Sequence, residues 1–382
     1  MSHTSSRVAL SRLALVVLAL CSGATQAAEE ILIGQTADFS SVAGQQMKDF
    51  NLGVLAYFNQ VNAKGGIKGR PITLISRDDA FQAAKAETNA KELVSQSNVI
   101  ALFGSRGTDP SEAVVKVAEA NRIALVAPIT GADSMRESRY TFPVRAGYRE
   151  EVKAMLEHIS FVPSRLAVLV QDDKFGNPLF TFIDKALRER YRNTRLVSTV
   201  RFPRTQKELK AEASKVLENE PNAVIALCNP TSCESFVRSI SEQAVAQSRP
   251  RPTIYQTSIS DMYAQFKKLG APVVAGNPYT QITPDPHRGV NPLVKEFRAA
   301  MDRAKQPYNY RSYEGFFSAA VLVEALKRAP SLTREGLVQG FEQGLSNGVE
   351  IGDVKVRYGA GDHQGSQFVD LVTIDREGRL VH

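Results

Sequence analysis

The feature that most constrains the fold is a regular alternation, from Ile31 onwards, of short β-rich runs with stretches of helical periodicity. Such alternation is typical of βαβ units, so it predicts a doubly wound α/β architecture with a mostly parallel sheet. In the first half of the chain we expect strands at residues 31–38, 71–79, 99–104 and 123–129. After the first strand, apolar residues at three-to-four spacing predict a helix that ends at Gly65 and Gly66; these residues are Phe50, Val54, Leu55, Phe58 and Val61.

The second half of the chain repeats this plan without close sequence identity to the first. We expect strands at residues 165–173, 196–202, 223–228 and 253–258, each followed by a helical stretch. About 350 residues would remain after removal of an N-terminal signal, which is too many for one small core. The sequence therefore predicts two lobes of similar build rather than an array of short repeats.

The N-terminal segment, residues 1–27, has the features of a cleaved secretory signal peptide. Arg7 and Arg12 precede the apolar run 13–20, and small residues follow it. The run is shorter than the roughly 20 apolar residues of a membrane span. The leucine before Cys21 argues against a lipoprotein, because lipid-anchored chains usually carry a small residue there. We expect the protein to be exported.

Charge and composition argue against a nucleic-acid partner. The predicted cleavage removes two arginines and no acids, so the net charge of +7 becomes 45 basic minus 40 acidic residues, or +5. This excess is mild, no dense run of Lys and Arg occurs, and tryptophan is absent. We interpret the charge as a solvated surface and expect no binding of nucleic acid.

The sequence lacks the motifs of common catalytic sites. No G-x-S-x-G occurs, no P-loop lysine follows a glycine-rich loop, and the histidines have no partner at i+4. Two pairs of acids, Asp78-Asp79 and Asp172-Asp173, end predicted strands, where helix capping or turn formation is the favoured interpretation over acid–base chemistry. We therefore predict a protein that is not an enzyme and that uses no metal or cofactor.

Two cysteines, Cys228 and Cys233, remain after the predicted cleavage. They could form a disulfide that closes a short loop in an oxidising compartment. The alternative that we favour is two separate thiols, one buried and one at the start of a helix.

The loops at the carboxyl ends of the predicted strands are the expected ligand contacts, because open α/β sheets bind ligands where these loops meet. They follow residues 38, 103, 129, 173, 228 and 258, and they are short and polar. In the stretch ALFGSRGTDPSEAV, the apolar run breaks at Gly104 into a loop that leads to a helix. Its backbone N–H groups could hold an anion, although the missing lysine argues against a nucleotide phosphate.

Several segments in collinear order resemble the periplasmic binding proteins of the branched-chain amino acid (Leu/Ile/Val-binding) type, which are soluble receptors of ABC importers. The segments are residues 61–80, 101–114, 123–136, 140–151, 170–176 and 313–329. The resemblance implies two Rossmann-like lobes joined by three crossovers, with a cleft that closes on a ligand by hinge motion. The implied partners are a small-molecule ligand and a membrane permease, and we expect a periplasmic monomer.

The resemblance also implies a division of the chain into lobes. The first lobe comprises residues 28–147 and about 278–348. The second lobe comprises residues 148–277 and about 349–382.

First-lobe contacts are carried over from the resemblance to the loops after the third and fourth strands. Thr108 takes the place of the hydroxyl that holds the ligand's carboxylate, with Ser105 and Gly107 beside it. The alternative for Thr108 is a helix cap. Further contacts are expected at three consecutive residues, Ile129, Thr130 and Gly131, and at Gln46, where relatives often carry an aromatic residue.

On the second lobe, Tyr148 and Phe175 align with positions that line the cleft, although Phe175 could instead belong to the core of the lobe. Where amino acid receptors carry an acid for the ligand's ammonium group, this chain has Ser258 or Thr257. An ammonium buried without a partner is costly, so a standard α-amino acid ligand is in doubt.

Other residues near the expected cleft could supply the missing acid. Asp173, Glu150 or Glu314 could pair with an ammonium group, which keeps an amino acid ligand possible. For Arg149, which also stands where an acid would be expected, we favour a solvated charge.

The leading hypothesis is therefore a periplasmic solute-binding protein that delivers a small organic acid, amino acid or amide to an importer. The first alternative is a periplasmic receptor that presents ligand occupancy to a signalling partner. The second alternative is a secreted α/β enzyme, which the absent catalytic motifs disfavour.

Overall fold

The computed structural model describes residues 29–41 and 43–382. The predicted signal peptide and Cys21 lie outside these residues. No helix of the described chain is both long and apolar enough to cross a membrane. The strands are β1 (Ile31–Ala37), β2 (Ile72–Asp78), β3 (Ala101–Phe103), β4 (Ala124–Val126), β5 (Thr141–Phe142), β6 (Ser164–Asp172), β7 (Thr194–Pro203), β8 (Ala223–Leu227), β9 (Thr253–Gln256), β10 (Tyr279–Gln281), β11 (Val349–Ile351), β12 (Val354–Gly359), β13 (Asp362–Ser366), β14 (Asp370–Ile374) and β15 (Leu380–Val381).

Helices connect most of these strands. They are α1 (Gln45–Ala63), α2 (Ala83–Gln96), α3 (Thr108–Ala120), α4 (Ser134–Glu137), α5 (Tyr148–Ile159), α6 (Gly176–Glu189), α7 (Lys210–Leu217), α8 (Pro230–Ala246), α9 (Met262–Leu269), α10 (Ala271–Val274), α11 (Pro292–Arg303), α12 (Tyr310–Arg328) and α13 (Arg334–Glu342).

The first lobe is built on a parallel sheet with the order β2-β1-β3-β4-β5. Successive side chains of its strands point to opposite faces, and both faces are covered. Phe103 packs in the cluster that includes α1 and α12, whereas Leu102 packs in the cluster of α2 and α3. The predicted doubly wound arrangement is confirmed for this lobe.

The second lobe repeats the arrangement in the order β7-β6-β8-β9-β10, with β14 and β15 added antiparallel to the edge at β10. Leu166, Val168 and Val170 face the cluster that contains α5 and α6. Ala167 and Leu169 face the cluster of α7 and α8. The eight strands expected from the sequence all form, with ends displaced by up to three residues.

Both sheets reverse their strand order at one internal point, between β1 and β3 in the first lobe and between β6 and β8 in the second. Loops that leave such a point diverge and open a crevice at the carboxyl ends of the strands. The two crevices face each other across the cleft between the lobes. The topology thus predicts which four loops form a site.

The chain passes between the lobes three times, near residues 143–147, 282–291 and 367–369. The lobe boundaries differ from the sequence-based division in two segments. Strand β10 lies in the second-lobe sheet, whereas β11, β12 and β13 pack on the first lobe. The reason is aromatic packing, since Tyr358 of β12 contacts Phe142 and Phe341 of the first lobe at centroid distances of 5.8 and 5.0 Å.

Cys228 and Cys233 form a disulfide, so the preference for two separate thiols is wrong. Asn229 and Pro230 turn the chain from β8 into α8, and this turn brings the two Cα atoms within 5.3 Å. That separation lies in the range that a disulfide requires. The bridge holds a loop that follows the reversal point of the second sheet.

The helices α1 and α12 pack at unusually close range on the first lobe. A Cβ atom on Gly53 would lie 1.8 Å from the carbonyl oxygen of Ser312, and one on Gly315 would lie 1.9 Å from that of Phe50. Glycine is therefore required on both helices at this contact. The expected apolar face of α1 is confirmed at Phe50, Val54 and Phe58, which are buried, whereas Leu55 is exposed and the expectation for it is wrong.

Candidate functional site

A cavity of about 60 Å³ lies between the lobes at the two reversal points. Side chains and loops from both lobes line it: Gln46, Phe81, Arg106, Gly107, Thr108, Ile129, Tyr148, Gln171, Phe175, Arg204, Asn229, Pro230, Ile259 and Arg311. Six of the residues expected from the sequence are among them. We call this space the central cavity.

The loop after β3 brings the start of α3 to the central cavity. Gly107 adopts a φ of 83°, which favours glycine, and it precedes the first helical residue, Thr108. The first N–H groups of α3, those of Thr108 and Asp109, have no partner within the helix and suit an anionic group. The Thr108 hydroxyl makes no capping bond and instead lies 3.0 Å from the Thr130 hydroxyl. The alternative that Thr108 caps the helix is therefore wrong.

Three other expected first-lobe residues support the wall from behind. Ser105 is buried and lies 2.8 Å from the Ser111 hydroxyl. Thr130 is fully buried behind Thr108. Gly131 lies beneath Tyr148, whose N–H donates to the Gly131 carbonyl at 2.8 Å, and a Cβ on Gly131 would clash with this residue. These residues shape the wall without lining the central cavity.

Gln46 connects the two lobes across the cleft. Its amide nitrogen donates to the Ile259 carbonyl at 3.2 Å, and its amide oxygen accepts from Arg106 at 3.3 Å. A side chain of this kind can form hydrogen bonds with the second lobe only while the lobes are close together. The structure therefore shows contact between the lobes at this point.

Arg106 lines the central cavity although sequence reasoning passed over it. Its guanidinium donates to the buried Asp38 at 3.0 Å. Burial lowers the pKa of Arg106 to about 10, against the opposing effect of Asp38. At neutral pH the group stays protonated, so a positive charge faces the cleft.

Phe81 is a second wall residue that sequence reasoning missed. Its backbone φ is 62°, a conformation that is rare for a bulky residue, and the buried Asp79 accepts its N–H at 2.9 Å. The ring covers Gly107, where an added Cβ would lie 2.4 Å from it. Strained backbone of this kind clusters at ligand sites.

The guanidinium of Arg106 lies 5.3 Å from the centre of the Phe81 ring, and that of Arg204 lies 4.4 Å from it. Both distances suit a cation–π contact. The ring thus links an arginine of each lobe. The sequence carried two signals that could have found this group, since Arg106 stands inside the GSRGT loop and Phe81 directly follows the strand-end acids and Ala80.

On the second lobe, Tyr148 and Phe175 pack edge to face with ring centres 4.9 Å apart. Both belong to the core cluster of that lobe, and both line the central cavity. The two interpretations of Phe175, a core residue or a cleft-lining residue, are therefore compatible, because its ring packs in the core and also lines the cavity.

Asp173 holds the start of α6 and Arg204. It accepts the N–H groups of Phe175 and Gly176 at 2.9 and 3.0 Å, and it pairs with Arg204 at 2.9 Å. The capping interpretation of this strand-end acid matches these contacts. Its oxygens are already engaged, and it does not line the central cavity.

Ser258 belongs to a buried charge network between the lobes. Its hydroxyl and N–H donate to the fully buried Glu151 at 3.0 and 2.7 Å, and Arg145 donates to both residues. Burial alone would lower the pKa of Arg145, but Glu314 and Glu151 together raise it. Ser258 lines a smaller space of about 40 Å³ beside Gln46 and Arg311, not the central cavity.

The three expected partners of an ammonium group lie in different surroundings. Glu150 is half exposed and lies 3.9 Å from Lys153, away from the cavity. Glu314 pairs with Arg145 and Arg311, and Asp173 pairs with Arg204. None of the three lines the central cavity.

A row of ion pairs crosses the rim of the cleft. Arg149 of the second lobe lies 2.6 Å from Asp133 of the first, and Lys174 lies 2.6 Å from Glu112. Arg149 is exposed at its side chain, as the solvated interpretation expects. These pairs join the lobes at the surface.

The residues described include no group of three or more His, Cys, Asp or Glu side chains placed to hold a metal ion. The central cavity offers hydrogen-bond donors from α3, three guanidinium groups and aromatic faces. Such an arrangement can enclose an anionic organic molecule.

The sequence profile of periplasmic binding proteins matches residues 30–379. The chain belongs to the periplasmic binding protein family. This periplasmic binding protein has the two-lobed type I fold, and the family resemblance expected from the sequence is confirmed. Family and fold are those of solute-binding proteins.

A curated relative shares a limited segment with this periplasmic binding protein. The Leu/Ile/Val-binding protein homolog 7 of Brucella melitensis is 34% identical over 107 residues, which is 28% of this chain and 27% of the relative. The match thus spans about a quarter of the relative's length.

Solved structures match along nearly the whole chain. A substrate-binding periplasmic protein from Ralstonia solanacearum is 26% identical, with a TM-score of 0.83 over 92% of this chain and 99% of that one. A possible leucine/isoleucine/valine-binding protein from Rhodopirellula baltica is 24% identical, with a TM-score of 0.83 over 93% and 97%. A branched-chain amino acid ABC transporter protein from Thermus thermophilus with bound valine is 16% identical, with a TM-score of 0.79 over 93% and 95%.

Proposed function

We propose that this protein is the periplasmic receptor of an ABC importer and that it captures a small organic ligand in the central cavity. The observation that carries the proposal is the position of this cavity, which the reversal points of both sheets face. The family and the neighbours described as ABC transporter binding proteins support delivery to a membrane permease.

The ligand binds with a carboxylate or carbonyl group at the start of α3. Thr108 offers a hydroxyl, and the N–H groups of Thr108 and Asp109 add the positive end of the helix dipole. Thr130 orients the Thr108 hydroxyl from behind. Tyr148 and Phe175 cover the apolar part of the ligand from the second lobe.

Closure of the lobes keeps the bound ligand from solvent. Gln46 and Arg311 of the first lobe donate to the neighbouring carbonyl groups of Ile259 and Ser258 on the second lobe, at 3.2 and 3.1 Å. A ligand that touches both walls stabilises this closed form, because it gains contacts that the open form lacks.

The test is a thermal-melting screen with amino acids, monocarboxylates, dicarboxylates and amides, followed by calorimetry on each molecule that raises the melting temperature. A ligand that binds only the folded chain raises that temperature by mass action. A complete absence of shifts would contradict the proposal.

The placement of the ligand is tested by Thr108→Val. Loss of the hydroxyl leaves a buried acceptor unpaired, so we expect binding to weaken by about 1–3 kcal/mol. Thr88→Val is the matched control, because Thr88 lies on the exposed face of α2 and donates within its own helix at 3.1 Å. Equal affinities of the two variants would show that the Thr108 hydroxyl does not hold the ligand.

A further inference from the structure

The charged residues on the wall of the central cavity indicate the charge of the ligand, which the fold alone does not. Among the residues that the structure describes, three guanidinium groups, those of Arg106, Arg204 and Arg311, line the cavity and no carboxylate does. Arg204 comes from the second lobe, where an amino acid receptor would need an acid for the ammonium group. An ammonium group placed here would meet positive charge instead.

Each of these arginines is held by a carboxylate that does not line the central cavity. Asp38 pairs with Arg106, Asp173 with Arg204 and Glu314 with Arg311. The pairs are Coulombically favourable and fix the direction of each guanidinium. The acids therefore act as orienting groups, and the ligand meets the donors of the arginines.

The two anion-binding features lie close to one aromatic ring. Gly107, which precedes the helix start at Thr108, lies against the edge of the Phe81 ring. Arg204 lies 4.4 Å from the centre of the same ring. A short molecule with an anionic group at each end can reach both features.

We infer that the ligand is a short dicarboxylic acid, with one carboxylate at the start of α3 and the other at Arg204 and Arg311. This inference rests on the proposed function and names the ligand class of the same site. The cavity is small, about 60 Å³, and this size favours a short diacid over a long one.

The first experiment compares matched probes by calorimetry: succinate and glutarate as dicarboxylates, butyrate as a monocarboxylate, and glutamate and leucine as amino acids. We expect succinate or glutarate to bind at least about tenfold more tightly than butyrate, glutamate or leucine, because a charged hydrogen-bonded end is absent or opposed in the others. Tighter binding of butyrate, glutamate or leucine would overturn the ligand class and leave the receptor function standing. No binding in this panel or in the broader melting screen would overturn both.

The second experiment uses Arg204→Gln, with Arg201→Gln as the matched control. Arg201 lies near the end of β7, three residues before Arg204, and its guanidinium lies 5.0 Å from the centre of the Phe180 ring, but it does not line the central cavity. We expect Arg204→Gln to weaken succinate or glutarate binding about 10- to 100-fold and butyrate binding less than about threefold. Arg201→Gln should change neither.

The ratio of diacid to monoacid affinity separates recognition from a structural effect. An Arg204→Gln variant that weakens both acids equally would overturn the inference, since Arg204 would then only support α6 through Asp173. If that variant does not fold, Arg204→Lys keeps the charge beside Asp173. We expect Arg204→Lys to retain a preference for the diacid, and equal weakening of both acids in this variant would overturn the inference.

Discussion

The two lobes share one strand order but offer the cleft different chemistry. The first lobe presents backbone N–H groups and the hydroxyl of Thr108 from a glycine loop, beside Arg106 and Arg311, whereas the second presents the rings of Tyr148 and Phe175 together with Arg204. Topology places the loops in both lobes in the same way. The difference shows that strand order determines where a site lies and that loop residues decide what it binds.

The largest expected effect tests whether the lobes are stable independently of the charge network between them. Glu151→Ala leaves Arg145 with one buried partner fewer, and we expect a loss of about 3–5 kcal/mol of unfolding free energy in urea titration. The control is Glu150→Ala, whose half-exposed side chain should matter by less than about 0.5 kcal/mol. Similar losses in both variants would contradict the assignment of the network to Glu151.

The next effect concerns the first lobe alone. Gly53→Ala forces α1 away from α12, because its Cβ would meet the Ser312 carbonyl, and we expect a loss of about 1–3 kcal/mol. Gly359→Ala is the control, since no atom lies within 4 Å of its added Cβ. Chemical denaturation measures both variants. An unchanged stability of Gly53→Ala would mean that the helices can separate without cost.

The next prediction concerns Asp79, a titratable residue that supports the wall of the first lobe only. Burial raises the pKa of Asp79 from 3.8 to about 6. Between these values the folded chain binds more protons than the unfolded chain, so stability falls as pH rises, by at most about 1.4 kcal/mol per pH unit. Asp79→Asn should remove this slope in denaturation curves between about pH 4 and 6. A slope that persists in the variant would assign it to other groups.

The smallest expected effect concerns the rim. Lys174→Gln removes an exposed pair with Glu112 across the cleft, so ligand affinity should fall only about twofold at low salt and not at all at high salt. Lys185→Gln, which removes a pair within α6, should leave affinity unchanged. A tenfold or larger effect of Lys174→Gln would show that rim pairs control closure.

The sequence predicted the fold well where a local pattern specifies it. Alternating strands and helices are visible in the chain itself, and the loop at Thr108 follows from the strand–loop–helix pattern. The β11, β12 and β13 segment was assigned to the wrong lobe because its place depends on Tyr358 packing against Phe142, a contact between distant segments. No local pattern encodes such a contact.

The charged residues of the site were harder to predict. Glu150 was expected at the site, but its neighbour Glu151 is the buried residue. Tyr148 and Glu151 are three residues apart and share one helical face, and this spacing could have identified Glu151. Arg204 follows β7, an edge strand whose loop was not among those inspected. Its position beside Phe81 depends on how the lobes meet, and that arrangement cannot be read from either segment alone.

The close contact of α1 and α12 has a mechanical consequence for the cleft. Gln46 lies at the start of α1 and Arg311 at the start of α12, and they hold two successive carbonyl groups, at Ile259 and Ser258. Because the glycines let the two helices pack without side chains between them, we expect the starts of α1 and α12 to move together. The two hydrogen bonds to the second lobe should therefore form together when the cleft closes and break together when it opens.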